Sequence, residues 1–277
     1  MRSVKYLLAA GAASLLTTTA VFAADMPSIM PPPAYAPPPV EDFGGWYLRG
    51  DIGFSNQKVK ELRNVEPALY PAGLALTQEA SFDTAGIYGL GVGYQFNNWF
   101  RADVIGQYRG NSNFKGLDTF TLGANTGYNL YGGSKSEWLA MANAYVDLGT
   151  WWCITPFIGA GVGAARVTVA NFTDIGQYSA GAPSWVSAAT ASKWNFAWAA
   201  HAGLAYKVSP GLTLELAYSY LNLGDGFTGD AVPYNGANLY ANNPYKFKDI
   251  TSHDLKLGVR WNLDSPPAYA PPLMRKG

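Results

Sequence analysis

Between residues 249 and 263 the chain alternates apolar and polar side chains almost without fault, and this restricts its fold more than any other feature. Leu255, Leu257, Val259, Trp261 and Leu263 share one parity; Ser252, Asp254, Lys256, Gly258, Arg260 and Asn262 share the other. A β-strand sends successive side chains to opposite faces, so the segment has one greasy face and one charged face. Over a soluble core the charges would simply meet water. Here the alternation recurs in about eight segments, with aromatic residues at their ends and a secretory signal in front. Together these features predict an all-β fold: an antiparallel transmembrane barrel with lipid outside and a polar interior.

Composition agrees with this reading. Charged residues make up 14% of the chain, whereas soluble domains carry roughly 25%. After the N-terminus no apolar run of about 18 residues occurs, which excludes a bundle of membrane helices. An open sheet edge in hydrocarbon would strand its backbone groups, so a sheet there has to close. Arg2, Lys5, the apolar stretch 6–16 and Val21-Phe22-Ala23 predict a signal peptide over 1–23, cut before Ala24-Asp25. Its removal turns a balance of 19 basic and 19 acidic residues into a net charge of about −2, which implies no nucleic-acid partner. The single Cys153 forms no internal disulfide and reads as an inert thiol.

Pro-rich tails are expected at 24–43 and 264–277, flanking a barrel over 44–263. The stretch from Pro32 to Pro38 returns unchanged from Pro266 to Pro272. Such segments favour extended polyproline helix, and serve either as plain spacers or as docking segments for something in the periplasm. Eight strands are expected, at 45–55, 84–96, 99–109, 137–148, 156–169, 194–207, 212–221 and 249–263; the facing of 156–169 stays open. Tight links at 97–98, 149–155 and 207–211 alternate with long ones at 56–83, 110–136, 170–193 and 222–248. Short periplasmic turns and long external loops give this asymmetry, and an even strand number returns both tails to the periplasm.

The inward parity collects Asp51, Asp103, Glu137, Asp147, Glu215 and Asp254 against Arg49, Arg101, Arg109, Lys207, Lys256 and Arg260, with His201 among them. An eight-stranded barrel is just wide enough to be filled by side chains. Balanced charges in so narrow a space are expected to pair into a plug and leave no open pore. Asp103 and Asp147 are the minimum for acid–base chemistry, but structural ion pairing is the commoner explanation in a narrow barrel. His201 and His253 fall on opposite faces and no cysteine cluster exists, so no catalytic residue, metal ligand or cofactor is expected. Gly159-x-Gly161-x-Gly163 lacks the spacing and the following helix of a nucleotide loop and reads as strand glycines.

Three segments carry a family likeness: Gly45-Trp46-Tyr47-Leu48-Arg49-Gly50, then 216–225 from Leu216-Ala217-Tyr218 to Leu223-Gly224-Asp225, and His253-Asp254-Leu255-Lys256-Leu257-Gly258-Val259-Arg260-Trp261. Over about 44–263 the chain resembles the small eight-stranded outer-membrane barrels of the OmpA-like and opacity-protein type, in particular the surface antigens of alphaproteobacteria. The resemblance implies integral insertion in a Gram-negative outer membrane, among its lipids and lipopolysaccharide. It implies delivery by the barrel assembly machinery, read through Lys256, Gly258, Trp261 and Leu263, although this chain runs on past that signal to residue 277. It further implies a covalent tether to peptidoglycan through Ala24-Asp25. The expected function is non-enzymatic: support of the envelope, with external loops open to host or ligand. The alternatives are a narrow porin for small solutes and a haem- or host-binding adhesin. Loop segments such as Tyr234-Asn235-Gly236 and Tyr240-Ala241-Asn242-Asn243 suit adaptable binding, or are turn formers with tyrosines at the membrane rim.

Overall fold

The alternating segment at the C-terminal end becomes the ladder that closes the sheet: Tyr47 through Lys58 pair, residue by residue, with Asn262 through Thr251. The structure, a computed structural model, describes residues 44–263 except 180 and 237–239. The expected signal peptide, both Pro-rich tails and Ala24-Asp25 lie outside these residues. The strands are β1 (Gly45–Lys58), β2 (Glu61–Asn64), β3 (Leu74–Phe82), β4 (Ala85–Gln95), β5 (Phe100–Leu122), β6 (Asn125–Asp147), β7 (Ile154–Tyr178), β8 (Ser184–Ala188), β9 (Ala191–Ser209), β10 (Leu212–Pro233) and β11 (Pro244–Asn262). Eight of them form a closed antiparallel ring in the order β1, β4, β5, β6, β7, β9, β10, β11 and back to β1. This is the expected eight-stranded barrel.

The outward parity is apolar. Leu48, Ile52, Leu90, Val104, Ile158, Val162, Leu216 and Leu257 are all exposed. Aromatic side chains border this band. At the tight-turn end Trp46 meets Tyr94 at 5.3 Å and Trp99 meets Phe100 at 5.7 Å. Towards the other end Tyr88, Tyr108 and Trp138 stand on directly paired positions of β4, β5 and β6. Amphipathic rings of this kind settle where hydrocarbon gives way to headgroups. The turns are built for sharp reversal: Asn97 Oδ1 accepts from the amides of Trp99 and Phe100, at 3.0 and 2.8 Å.

Strand length departs from the sequence reading. A strand needs about 9–11 residues to cross a bilayer, yet β5 and β6 each have 23 residues and β7 has 25. The expected loops at 110–136 and 222–248 are for the most part continuations of strands, and β5 and β6 meet in a tight turn at Gly123 (φ 61°). The reason they read as loops is a set of bulges at the outer edge of the apolar band. The β5/β6 register slips between Arg109 and Ser112. Asn171 (φ 54°) interrupts β7, Gly224 (φ 75°) interrupts β10 and Asp249 (φ 49°) interrupts β11. Each inserts an extra residue and reverses the inward parity. In β7 the buried residues Phe157, Ala165, Val167 and Val169 give way to Phe172 and Asp174, which also fixes the facing left open above.

Beyond the band the wall is continued by short strands. β2 takes over from β1 along β11, β3 takes over from β4 along β5, and β8 takes over from β9 between β7 and β10. The join between β2 and β3 is made by a side chain: the Gln78 amide accepts from Leu62 N and donates to Leu62 O, both at 2.7 Å. A charge placed on the lipid face tests the assignment of the band. Leu257→Arg is expected to cost about 2–4 kcal/mol in reversible unfolding from lipid vesicles, and an unchanged stability would place Leu257 in water.

Candidate functional site: a packed lumen beneath an external cavity

The inward parity near the tight turns holds a charged cluster. Arg49 Nη1 reaches Asp103 Oδ2 at 2.7 Å, and Arg49 Nη2 reaches Asp51 at 3.1 Å and Glu215 at 3.4 Å. Arg101 binds Asp147 and Glu215, both at 3.3 Å, and Arg260 approaches Glu215 at 3.5 Å. Glu215 therefore faces three guanidinium groups. Further up, Arg109 pairs with Asp254, and Lys135 with Glu137 and Gln57. Ser55, Ser252 and Gln57 complete that layer, with Arg109 Nη1 donating to both serine hydroxyls at 3.1 and 3.0 Å.

Lys207, expected in this network, is instead exposed at the turn end of β9, where a slip against Leu212 and Thr213 leaves it at the open mouth. The sixth buried cation is instead Lys135, at the outer end of the lumen, hidden from sequence reasoning because it falls in the supposed loop 110–136. The buried lumen charges are then Arg49, Arg101, Arg109, Lys135, Lys256 and Arg260 against Asp51, Asp103, Glu137, Asp147, Glu215 and Asp254. The lumen is not polar throughout. Ile105, Leu139, Met141, Ala197 and Leu221 also point inward, as part of an apolar cluster.

His201 engages both ring nitrogens: Nδ1 accepts from Ser219 Oγ at 2.7 Å and Nε2 donates to Asn143 Oδ1 at 3.1 Å. Asn143 in turn donates to Asp103 Oδ1 at 2.8 Å. Asp103 and Asp147 are held in separate ion pairs, to Arg49 and Arg101. His253 lies outside, with Nδ1 at 2.6 Å from Tyr218 Oη. Of the expected assembly residues, Lys256 and Gly258 point inward, while Trp261 and Leu263 are exposed at the turn end. Gly258 is small for a reason, since an added Cβ would stand 2.6 Å from Asp51 Oδ1. Gly161 likewise yields its space to the Asn143 amide, which accounts for one glycine of the Gly-x-Gly-x-Gly run. The void bordered by Asp51, Asn143, His201 and Lys256 holds about 10 Å³, the room of a single water.

Above the charges the interior turns aromatic. Phe114 meets Phe247 at 4.9 Å, Phe172 meets Tyr245 at 4.6 Å, and Tyr131 meets Tyr245 at 5.8 Å. Over this floor, between the projecting strands, opens a cavity of about 280 Å³ lined by Tyr70, Asp118, Tyr131, Asp174, Tyr178 and Tyr245 among others. Tyr131 Oη donates to Asp118 Oδ2 at 3.1 Å and Gln78 Nε2 to its Oδ1 at 2.8 Å. Tyr245 Oη donates to Asp174 Oδ2 at 2.5 Å. Burial pushes the Asp174 carboxyl up to about 6; the Tyr245 hydrogen bond opposes the shift and the neighbouring Asp118 adds to it. Burial also raises the Tyr70 phenol to about 12.

Comparison with known proteins agrees with this architecture. The family described as "Outer membrane protein beta-barrel domain" matches residues 13–262. An uncharacterized protein of Brucella abortus is 33% identical over 281 residues, covering 90% of this chain and 95% of its own. A Rickettsia felis protein named as a candidate adhesin is 27% identical over 267 residues, covering 93% and 98%. Among solved structures the neisserial surface protein A is similar at 16% identity, with a TM-score of 0.44, over 80% of this chain and 99% of its own.

Two outcomes follow from the charges. Glu215→Gln leaves three buried guanidinium groups short of one countercharge and is expected to cost about 3–5 kcal/mol in urea unfolding. Asp174 has a folded-state value above its ordinary 3.8, so the unfolded chain releases that proton first as pH rises. Its contribution to stability is complete below about pH 4, falls as pH rises to about 6, and amounts to no more than about 3 kcal/mol. Asp174→Asn should remove that fall. Unfolding midpoints of both proteins at pH 4 and pH 7 measure it, and parallel pH profiles would count against a raised value.

Proposed function

This chain belongs to the outer membrane protein beta-barrel family, and on that premise we propose that it acts as a closed, non-enzymatic surface barrel. It sits integrally in the outer membrane, helps to stiffen the envelope, and presents its projecting strands to host cells or other surfaces. The observation that carries this reading is the contrast between the two halves of the interior. The membrane half is filled by paired charges and apolar side chains, which supports an anchor rather than a conduit. The outer half continues well past the bilayer, where β5 and β6 form a long hairpin. A relative named as a candidate adhesin lends support to attachment.

Haem capture gains no support from the histidines, because His201 spends both nitrogens on hydrogen bonds and His253 is on the outer face. A narrow porin would need a water path through the Arg49–Arg101–Glu215 cluster.

Planar-bilayer recording separates anchor from porin: the purified protein is expected to give no stable single-channel steps, and well-defined steps would defeat the closed reading. In cells that display the protein, replacing residues 116–131 with a two-residue turn, which keeps Lys135 in the lumen, should lower cell attachment severalfold while leaving the membrane ring folded. Unchanged attachment would remove the surface role.

A further inference from the structure

The external cavity contains a buried acid with a missing partner. Asp174 is 7% exposed, and although its Oδ2 takes the Tyr245 hydroxyl, its Oδ1 has no hydrogen-bond partner among the described residues. Buried polar atoms are rarely left so, and an orphan in a cavity wall marks a place where something else completes the bonding. Asp118, 3% exposed, stands in the same wall. Among the described residues neither acid forms an ion pair, in contrast to the lumen below, where Asp51 Oδ2 and Glu215 Oε1 also lack hydrogen bonds but each of the six acids pairs with at least one cation. Among the described residues that line it, the cavity has two acids and no cation.

The rest of the wall is aromatic. Tyr70, Tyr131, Tyr178 and Tyr245 line the space with the two acids. Tyrosine rings carry electron-rich faces that attract ammonium and guanidinium groups, most strongly where water is excluded. One such contact already exists beside the cavity: the Arg63 guanidinium lies 4.0 Å from the Tyr70 ring centroid. Carboxylates repel anions, and a hard divalent ion asks for six or more oxygen ligands rather than rings. At about 280 Å³ the cavity is slightly smaller than sites for drug-sized molecules.

We infer that this cavity is a binding site for a small organic cation, an amine or quaternary ammonium, held by Asp174 and Asp118 and enclosed by the tyrosine rings. The cation would stand among the tyrosine rings, its charge balanced by the buried Asp174 and Asp118 carboxylates in the wall, which Tyr245 and Tyr131 keep in place through their hydroxyls. This site lies outside the bilayer, so it is open to ligands at the cell surface and does not depend on passage through the lumen. It goes beyond the surface role proposed above and stands whether or not the hairpins attach to cells.

The test uses the mature protein folded in an alkyl maltoside, because phosphocholine detergents carry the very headgroup in question. Choline and its neutral isostere 3,3-dimethylbutan-1-ol are titrated by calorimetry. Choline is expected to bind saturably, with the isostere weaker by about tenfold or more. Asp174→Asn should weaken choline by about tenfold or more, whereas Asp249→Asn, which removes a charge outside the cavity wall, should stay within about threefold of the parent. Should Asp174→Asn fail to fold, as judged by heat-modifiable migration, Asp118→Asn carries the same expectation. Absence of saturable choline binding, equal binding of the isostere, or unchanged affinity in the folded Asp174 or Asp118 variant would each overturn the assignment.

Discussion

Hydrocarbon offers no partner to a backbone amide, and everything else in this molecule is arranged around that fact. Closing β11 on β1 leaves no free edge in the ring, so each membrane-facing strand spends its backbone on its neighbours. Once closure is imposed, the period of two in the sequence does the rest: one parity must be greasy, and the other must find company inside a tube barely wide enough for side chains. The ion pairs around Glu215 follow from that confinement. Charges that would be worth little on a soluble surface become obligatory here, since none of them has water to fall back on.

The membrane portion was legible because lipid enforces its code at every second residue. Leu255, Leu257 and Val259 alternate with Asp254, Lys256 and Gly258 because a one-residue slip would put a lysine into hydrocarbon. The projecting portion faces no such penalty, and its reading failed at identifiable residues. Bulges near Ser112, Asn171, Gly224 and Asp249 reverse the parity, and each coincides with an end assigned to a strand from sequence. Lys135 was lost to the supposed loop for the same reason, and Lys207 was counted because parity alone cannot say how far a strand end lies from the mouth. The aspartates of the outer cavity were invisible for a different reason: Asp118 and Asp174 come from β5 and β7, and only the folded wall sets them beside Tyr131 and Tyr245.

The interior therefore divides along its axis. Near the periplasmic turns it is ionic and paired, in the middle it is apolar and aromatic, and outside the bilayer it is aromatic with acids in its wall. The first two zones fill the ring with side chains.

The Gln78 amide between β2 and β3 has a consequence for how the outer wall behaves. Elsewhere that wall is knitted by runs of main-chain bonds, but at this seam two strands are fastened by a single side chain clasping Leu62. The same Gln78 amide also reaches Asp118 in the cavity wall. The clasp thus ties the parting of two strands to the chamber behind them, and any occupant that draws Asp118 inward tugs on the same fastening from the other end.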